Sequence, residues 1–349
     1  MAQSSLIPYP SSLLFISVFA ILLLASCGRD KSQSNYGGAV AIGHAGRQPG
    51  QFTKPRALAI TAAGEIAVID RSGRVQFFEA ESGEFIRQWR LAEYSNGTPT
   101  GMSVDPVNDS LWIADTHYSR ILNYNKEGEL LFSFGVNGEG PGQMIFPTDA
   151  VPDPDGHTLW VTEYGRANRI MRFTREGVFE KEWGSPVYES DELLRPMALS
   201  VSPDGKSLYV VDAGNHRIVV YDREGNVLRR FGHLGKDWGA MKYPLDMAMA
   251  ADGSVFVLEY ETARISHHSP DGKFLGSWGE PGKKLGQLFL PWGIAVGPGG
   301  EMVIADTNNQ RLQLLRNPVR FFRGEAPGGV ASAVAESVAS LFDSAGSTQ

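Results

Sequence analysis

Short apolar stretches separated by glycine-containing turns dominate the chain, and their pattern is that of β-strands. Within residues 196–232 the segments "MALSV", "SLYVVD", "RIVVYD" and "VLRRFG" either alternate apolar and polar residues or are continuously apolar. Runs of this length bounded by glycine are typical of strands. Gly205 and Gly225, which separate two pairs of these runs, can adopt the positive φ that tight turns require. The pattern therefore predicts a unit of four short strands.

This unit recurs along the chain. An apolar pair followed by an acid, and then by a basic–aliphatic pair, occurs six times, with successive acids 45 to 49 residues apart. The acid–arginine pairs are Asp70 and Arg74, Asp115 and Arg120, Glu163 and Arg169, Asp212 and Arg217, Glu259 and Arg264, and Asp306 and Arg311. Each acid ends a second strand and each arginine begins a third. We expect a charge-assisted pair, or hydrogen bonds from the acid to the backbone, to fix the turn between them, which is a structural role.

Six four-stranded units at this spacing predict an all-β protein, a six-bladed β-propeller with antiparallel blades. The segments "GPGQMIFPTDAV", "LGQLFLPWGIAV" and "PGQFTKPRALAI" open blades, and several outer strands end on Phe-Gly or Trp-Gly. These features resemble the NHL repeat family over about residues 38–316. The resemblance implies the propeller fold. It implies no single function, because the family includes lyases, sensors, and RNA- or protein-binding modules.

The sixth copy reaches "RNP" where a fourth strand is expected, so another segment must complete the last blade. Residues 39–43 are favoured, because "AVAIGHAGRQPGQF" aligns with "LFSFGVNGEGPGQM" of an earlier blade. The segment "VRFF", residues 319–322, is the alternative. Either strand would cover an edge that otherwise invites aggregation. The propeller domain is therefore expected to span residues 38–322.

The N-terminal segment indicates export. Residues 13–26 are apolar but too few for a comfortable membrane span, which favours a signal peptide over residues 1–26. The run ends in "LASC", which resembles the bacterial lipobox, although no Lys or Arg precedes Cys27. The resemblance implies lipidation of Cys27 and a lipid-anchored protein of the bacterial cell envelope, at the outer membrane, in the periplasm or on the cell surface. Residues 27–37 are expected to form a polar tether.

Residues 323–349 lie outside the repeats and form a C-terminal tail. Val330, Val334 and Val338 have helical spacing, so a short helix and a frayed tail both remain open. The net charge of −7 disfavours a nucleic-acid partner, which would require a basic face.

Candidate ligand contacts come from loops that share one propeller face, namely those entering first strands and those joining second to third strands. The residues chosen there are Arg56, His117, Tyr164, His216, Tyr260 and Trp292. Aromatic rings and an arginine suit a planar or peptide-like ligand. We therefore favour an envelope propeller that binds a protein, a peptide or a small molecule.

An enzyme is the alternative. The fold resembles that of the peptidyl-hydroxyglycine amidating lyases, which implies a zinc held by histidines in Pro-His segments. The corresponding segments here, "KPRA", "TPTG", "FPTD", "RPMA", "YPLD" and "LPWG", contain no histidine. A catalytic zinc needs three protein ligands, so a standard zinc lyase is not expected. The same resemblance implies a channel calcium at Asp149 and Asp246, although bonding of these acids to neighbouring strands is favoured. A metal-assisted lyase or hydrolase is thus the second function considered.

Overall fold

The computed structural model describes residues 38–185, 192–235, 237 and 239–322, and within them the fold is built from strands. The first part of the chain contributes β1 (Ala39–Ile42), β2 (His44–Ala45), β3 (Gln51–Phe52), β4 (Pro55–Ile60), β5 (Glu65–Asp70), β6 (Arg74–Glu79), β7 (Phe85–Arg90), β8 (Gly101–Val104), β9 (Leu111–Asp115), β10 (Arg120–Tyr124), β11 (Leu130–Phe134), β12 (Phe146–Pro152), β13 (Thr158–Tyr164), β14 (Asn168–Thr174) and β15 (Phe179–Ser185). The rest contributes β16 (Pro196–Val201), β17 (Ser207–Asp212), β18 (Arg217–Asp222), β19 (Val227–Phe231), β20 (Pro244–Met249), β21 (Val255–Glu259), β22 (Arg264–His268), β23 (Phe274–Trp278), β24 (Glu280–Pro281), β25 (Gln287–Leu288), β26 (Ile294–Val296), β27 (Met302–Asp306) and β28 (Arg311–Leu315).

Twenty-four of these strands form six four-stranded sheets, with all pairing inside each sheet antiparallel, so the predicted six-bladed propeller is confirmed. The other four strands form the short parallel pairs β2–β3 and β24–β25. Blades 1 to 5 are β4–β7, β8–β11, β12–β15, β16–β19 and β20–β23, and blade 6 is β26–β28 with β1. The innermost strands contact one another in sequence around the ring, and β26 contacts β4. The core consists of apolar side chains shared between neighbouring blades, for example Trp112 of blade 2 with Leu159 and Phe173 of blade 3.

The N-terminal strand closes the ring, as the alignment of residues 39–43 predicted. In β1, Ala39 pairs with Leu315 and Ile42 pairs with Leu312 of β28. The alternative strand "VRFF" does not form, because Pro318–Phe321 is a 3-10 helix. Phe321 instead packs against Gly38, where an added Cβ would lie 2.4 Å from its ring. Blade 6 is therefore made from both ends of the propeller.

Neighbouring blades are also joined at the lower face, which we define as the end where the first strand turns into the second. Asp153 follows β12 and accepts hydrogen bonds from Trp160 Nε1 at 2.9 Å and from Arg223 Nη1 of blade 4 at 2.6 Å. Asp105 occupies the same place in blade 2 and accepts from Trp112 and from Arg175 of blade 3. These buried acids connect blade 2 to blade 3 and blade 3 to blade 4.

Glycine is required where the turn before an outer strand packs on the preceding blade. Gly128 has φ +91° and lies so close to Trp89 that an added Cβ would be 2.5 Å from the indole ring. Gly225 has φ +97° and lies against Trp183 in the same way. No helix among the described residues is long and apolar enough to cross a membrane. The predicted signal peptide, Cys27, the tether and the tail at 323–349 lie outside the described residues.

Candidate functional site

The six acid–arginine pairs lie at the upper face, the end opposite the lower face, between the second and third strand of each blade. The donor–acceptor distances are 2.5 Å for Arg74–Asp70, 2.8 Å for Arg120–Asp115, 2.9 Å for Arg169–Glu163, 2.7 Å for Arg217–Asp212, 2.8 Å for Arg264–Glu259 and 2.8 Å for Arg311–Asp306. All six carboxylates are buried. The recurrence of one geometry in every blade indicates a structural role.

Five of the acids also hold the loop that enters their own blade. Each accepts a backbone hydrogen bond of 2.7 to 3.0 Å from the residue two positions before the entry proline. The donors are Thr53, Ile145, Leu194, Lys242 and Phe289. The arginines donate to carbonyls of the same loops, as Arg264 does to Ala240 at 2.7 Å. Each pair therefore fixes the backbone directly before the first strand.

Blade 2 differs from the other five blades. Asp115 Oδ1 is buried and has no hydrogen-bond partner among the described residues, and Arg120 also pairs with Glu93 at 2.7 Å. Burial raises the pKa of the Asp115 carboxyl to about 6, against the opposing effect of Arg120. The entry loop of this blade is thus not held by its acid.

Several residues directly before the entry prolines adopt a left-handed backbone that only glycine adopts easily. Lys54, Arg195, Tyr243 and Leu290 have φ between 46° and 55°. Such a conformation costs roughly 1–2 kcal/mol for a residue with a Cβ. It persists because the acid of the same blade binds the preceding backbone N–H. Strained residues that the surrounding structure enforces are concentrated at functional sites.

The entry loops, together with the rim loops that join the second to the third strands, bring aromatic and cationic side chains together around the central channel. We name this set of side chains the mouth ring. Its members are Arg56, His117, Phe146, Tyr164, Arg195, Tyr243, Tyr260 and Trp292. They come from blades 1 to 6. In the order His117, Phe146, Tyr164, Arg195, Tyr243, Tyr260, Trp292 and Arg56, each contacts the next.

One half of the mouth ring covers blades 2 to 4. The ring centroids of His117 and Phe146 are 6.4 Å apart, and Phe146 stacks on Tyr164 at 5.3 Å. The guanidinium of Arg195 lies 4.9 Å from the centre of the Tyr164 ring. His117 is exposed, and its pKa is lowered by partial burial and by the charge of Arg56.

The other half covers blades 4 to 6 and ends at blade 1. Arg195 lies 5.7 Å from the centre of the Tyr243 ring, and Tyr243 and Tyr260 meet edge to face at 6.4 Å. Tyr260 meets Trp292 edge to face at 6.0 Å, and the guanidinium of Arg56 lies 4.2 Å over the Trp292 ring. All of these residues except the exposed Arg195 are half-buried. Aromatic and cation–π contacts of this kind contribute about 0.5–1.5 kcal/mol each, so the rings are fixed before any ligand arrives.

The structure thus brings together five of the six residues chosen from the sequence, and places the sixth behind the ring. His216 Nδ1 accepts a hydrogen bond from the Tyr243 backbone N–H at 2.9 Å, which requires the tautomer with the proton on Nε2. The His216 and Tyr243 rings meet edge to face at 6.4 Å. His216 therefore positions Tyr243.

Sequence reasoning missed Phe146, Arg195 and Tyr243. It considered the residue after each entry proline, whereas these three stand directly before Pro147, Pro196 and Pro244. The aligned "FP", "RP" and "YP" pairs, which place a large side chain before each of these entry prolines, were the signal that could have identified them.

Below the mouth ring, the inner strands enclose a cavity of about 230 Å³ that contains Asp149 and Asp246. Asp149 accepts backbone hydrogen bonds from Ala150 at 2.9 Å and from Leu199 of blade 4 at 3.1 Å. Asp246 accepts from Met247 and from Ile294 of blade 6, both at 2.8 Å. These bonds tie blade 3 to blade 4 and blade 5 to blade 6, the role favoured from the sequence.

Burial raises the pKa of Asp149 to about 7. Burial, together with repulsion from Asp149, raises the pKa of Asp246 to about 8. Both oxygens of each carboxyl already accept a main-chain hydrogen bond, whereas calcium takes six to eight oxygen ligands. No group of three or more His, Cys, Asp or Glu side chains suited to a metal occurs in the described part of the chain. The described residues therefore offer no zinc centre of the kind that the lyase resemblance implies, and calcium at the two acids stays a prediction.

The adjacent histidines of β22 pack against aromatic rings and do not form part of a metal site among the described residues. His267 stacks on Phe256 at 4.3 Å, and His268 lies 5.2 Å from Phe231. Their different neighbours agree with side chains on opposite faces of the strand.

Comparison with known proteins agrees with this architecture. Residues 145–290 match the family model described as SMP-30/Gluconolactonase/LRE-like region, and residues 290–313 match the NHL repeat. The fold and closure define a six-bladed β-propeller built from acid–arginine repeats. These two matches, together with the six-bladed arrangement, support a propeller of the NHL type.

Similar curated proteins share only part of their length with this chain. The chain is 30% identical over 134 residues to "Protein brain tumor" of Drosophila melanogaster, which covers 38% of this chain and 12% of that protein. It is 28% identical over 170 residues to "Peptidyl-glycine alpha-amidating monooxygenase A" of Xenopus laevis, covering 45% and 18%. It is 26% identical over 157 residues to "NHL repeat-containing protein 3" of Mus musculus, covering 42% and 44%. The chain thus spans less than half the length of each of these relatives.

Solved structures support the fold alone. A streptogramin B lyase superposes with a TM-score of 0.58 at 14% identity, covering 79% of this chain and 96% of that one. A gluconolactonase from Xanthomonas campestris superposes with a TM-score of 0.56 at 18% identity, covering 76% and 86%.

Proposed function

We propose that the protein is a lipid-anchored envelope propeller that binds a peptide, a protein segment or a small molecule at the mouth ring. The observation that carries this proposal is the continuous chain of contacts from His117 to Arg56 around the channel. Half-buried aromatic side chains that surround a concave opening are typical of ligand sites.

Preorganisation supports the same function. The acid–arginine pairs hold the entry loops of blades 3, 4 and 5, which carry Phe146, Arg195 and Tyr243. His216 fixes the backbone of Tyr243 from behind. A ligand that enters such a site orders few additional side chains, so more of its contact energy contributes to affinity.

The anchor is supported by the sequence and by the direction of β1. The lipobox resemblance implies a lipid at Cys27, and a multiply acylated cysteine would hold the protein firmly on a membrane. Ala39, the first residue of β1, pairs with Leu315 at the lower end of β28, while Arg311 at the upper end belongs to an acid–arginine pair. The tether would therefore join the propeller at the end opposite the mouth ring.

The test compares the protein without residues 1–27 with its Trp292→Leu and Phe85→Leu variants. Phe85 is an aromatic residue at the lower end of an outer strand, so its variant controls for loss of a ring elsewhere. Immobilised protein is exposed to protein, peptide and small-molecule fractions of a cell-envelope extract, and bound species are quantified by mass spectrometry.

We expect a saturable ligand that the wild type and Phe85→Leu retain and that Trp292→Leu binds at least about tenfold more weakly, as for an interface hot spot. Melting temperatures of the three proteins establish that each is folded. Equal retention by all three would place binding elsewhere and end the proposal for the mouth ring.

A second candidate, a metal-assisted lyase or hydrolase, is favoured by one observation. Asp149 and Asp246 share the channel and have strongly raised pKa values, which is a common property of functional carboxyls. Elemental analysis of the protein and of the double variant Asp149→Asn, Asp246→Asn tests it. Stoichiometric calcium in the wild type that is absent from the double variant would support this candidate. A wild type without metal would contradict it and leave both acids only their hydrogen bonds to the main chain of neighbouring strands.

A further inference from the structure

Positive charge without compensation is concentrated where blade 1 meets the mouth ring. Lys54 and Arg56 belong to the entry region of blade 1, and Arg71 lies in the turn between β5 and β6, where its backbone N–H donates to Thr53 of the entry loop at 2.9 Å. None of the three makes an ion pair with any described residue. Arg56 Nε is buried and has no hydrogen-bond partner within the described part of the chain.

Three exposed acids on the loops of the upper face already pair with cations. Glu93 binds Arg120 at 2.7 Å, Glu139 binds Arg166 at 3.2 Å and Glu261 binds Lys242 at 2.9 Å. Asp70, the acid nearest in sequence to this region, is buried against Arg74. The described acids therefore leave the charges of blade 1 available to a ligand.

The surroundings of Arg56 penalise its charge. Partial burial lowers the pKa of the guanidinium, and the neighbouring charge of Arg71 lowers it further. Arginine nevertheless stays protonated, so the charge persists with little solvation. An entering anion would replace that missing solvation through charge-assisted hydrogen bonds.

Arg56 and Trp292 are held together by the backbone. Gly293 lies so close to blade 1 that an added Cβ would be 2.3 Å from the Arg56 carbonyl oxygen. The guanidinium lies over the indole at 4.2 Å, and Tyr260 stands edge to face against the same indole. A guanidinium that stacks on an aromatic ring keeps N–H groups at its edge for a carboxylate or phosphate.

A second uncompensated cation lies across the mouth. Arg195 belongs to blade 4, three blades from blade 1 in a ring of six, and it is exposed. Its guanidinium contacts Tyr164 and Tyr243, and its backbone N–H donates to Asn168 Oδ1 at 3.0 Å. Arg195 makes no ion pair with any described residue. The mouth thus presents the same sign of charge on opposite sides.

We infer that the mouth ring takes an anionic ligand with a flat apolar body, whose anionic group binds Arg56 and whose body lies against Trp292 and Tyr260. This inference rests on the proposed binding function and adds the chemical class of the ligand. Arg71 and Arg195 contribute attraction at longer range, which salt screens.

The test uses a panel of aromatic carboxylates, each matched with its neutral carboxamide, such as 2-naphthylacetate and 2-naphthylacetamide. Affinities are measured by tryptophan fluorescence, and contacts by saturation-transfer NMR, for the protein without residues 1–27. The variants are Arg56→Gln, Trp292→Leu and the control Arg230→Gln, which removes an exposed charge from the outer strand of blade 4.

We expect carboxylates to bind at least tenfold more tightly than their carboxamides, with the preference lost in Arg56→Gln, kept in Arg230→Gln and reduced by salt. Carboxamides that bind as tightly as carboxylates, or a preference that survives Arg56→Gln, would overturn the anionic class while leaving the binding site intact. No binding by either series, with Trp292→Leu indistinguishable from the wild type, would instead overturn the binding function and this inference with it.

Discussion

Asp306 and Asp115 occupy the same position in their blades, yet their carboxyl groups have different surroundings. Asp306 accepts hydrogen bonds from Arg311 Nε, Gln313 Nε2 and the Phe289 backbone N–H, all at 2.8 to 2.9 Å. Asp115 binds Arg120, but its Oδ1 has no partner among the described residues. We therefore expect the same sequence motif to contribute unequally to stability from blade to blade.

We expect Asp306→Asn to lower the free energy of unfolding by about 3–5 kcal/mol, because the amide leaves Arg311 without its buried counter-charge. Asp115→Asn should cost at least about 2 kcal/mol less, because Asp115 makes fewer hydrogen bonds and its pKa is already raised to about 6. Urea unfolding of both variants measures the difference. Equal losses would show that the loop contacts of Asp306 add no stability.

Acid sensitivity is expected from the buried histidines. Burial lowers the pKa of His267 and of His268 to about 4, whereas an unfolded histidine has a pKa near 6.5. The unfolded chain therefore takes up protons first as the pH falls. The stabilisation is complete above about pH 6.5 and is lost as the pH decreases toward 4, by on the order of 3 kcal/mol for each histidine.

Urea unfolding between pH 7.5 and 4.5 follows this loss. His267→Phe preserves a ring against Phe256 and should make the dependence on pH less steep, whereas His157→Gln, at an exposed turn, should leave it unchanged. An unchanged slope in His267→Phe would assign the acid sensitivity to other groups.

At the scale of elements, the strands could be predicted because each blade repeats its pattern of apolar runs, turn glycines and acid–arginine pair. The closing strand was also predictable, since residues 39–43 align with an outer strand. The positions of Phe146, Arg195 and Tyr243 could not be predicted, because they depend on the backbone before proline, which side-chain patterns do not encode. That backbone is left-handed at Arg195 and Tyr243, and it is held at Phe146 by the hydrogen bond from Ile145 to Glu163. Asp153 was missed because its partner Arg223 lies in the next blade, far along the chain.

The closing strand supplies an expectation of its own. Ile42 is 2% exposed and packs in a cluster with Phe52, Phe78 and Leu312, so Ile42→Asp buries a charge without a partner. We expect a loss of about 4 kcal/mol or more, with self-association through the freed edge of β28. Val107 is 65% exposed, so Val107→Asp is the matched control. Unfolding free energy and light scattering provide the readouts, and equal behaviour of the two variants would refute a closing role for β1.

At the scale of the whole molecule, the mouth ring and Ala39, the first residue of β1, lie at opposite ends of the propeller. We expect the full-length protein to fractionate with membranes and to enter a detergent phase, because a lipidated Cys27 inserts its acyl chains. Cys27→Ser should move the protein to the aqueous phase without changing its melting temperature. Retention of Cys27→Ser on the membrane would mean that something other than the lipid anchors it.

Closure by β1 also has a consequence for biosynthesis. Ala39 can pair only after Leu315 has been synthesised. The first strand therefore stays unpaired while nearly the whole propeller is made. At about 5–20 residues per second the wait lasts roughly 15–60 s, a period in which β1 and the edge of blade 1 are open to proteases and to other nascent chains. The strand that seals the finished ring is thus made first and paired last.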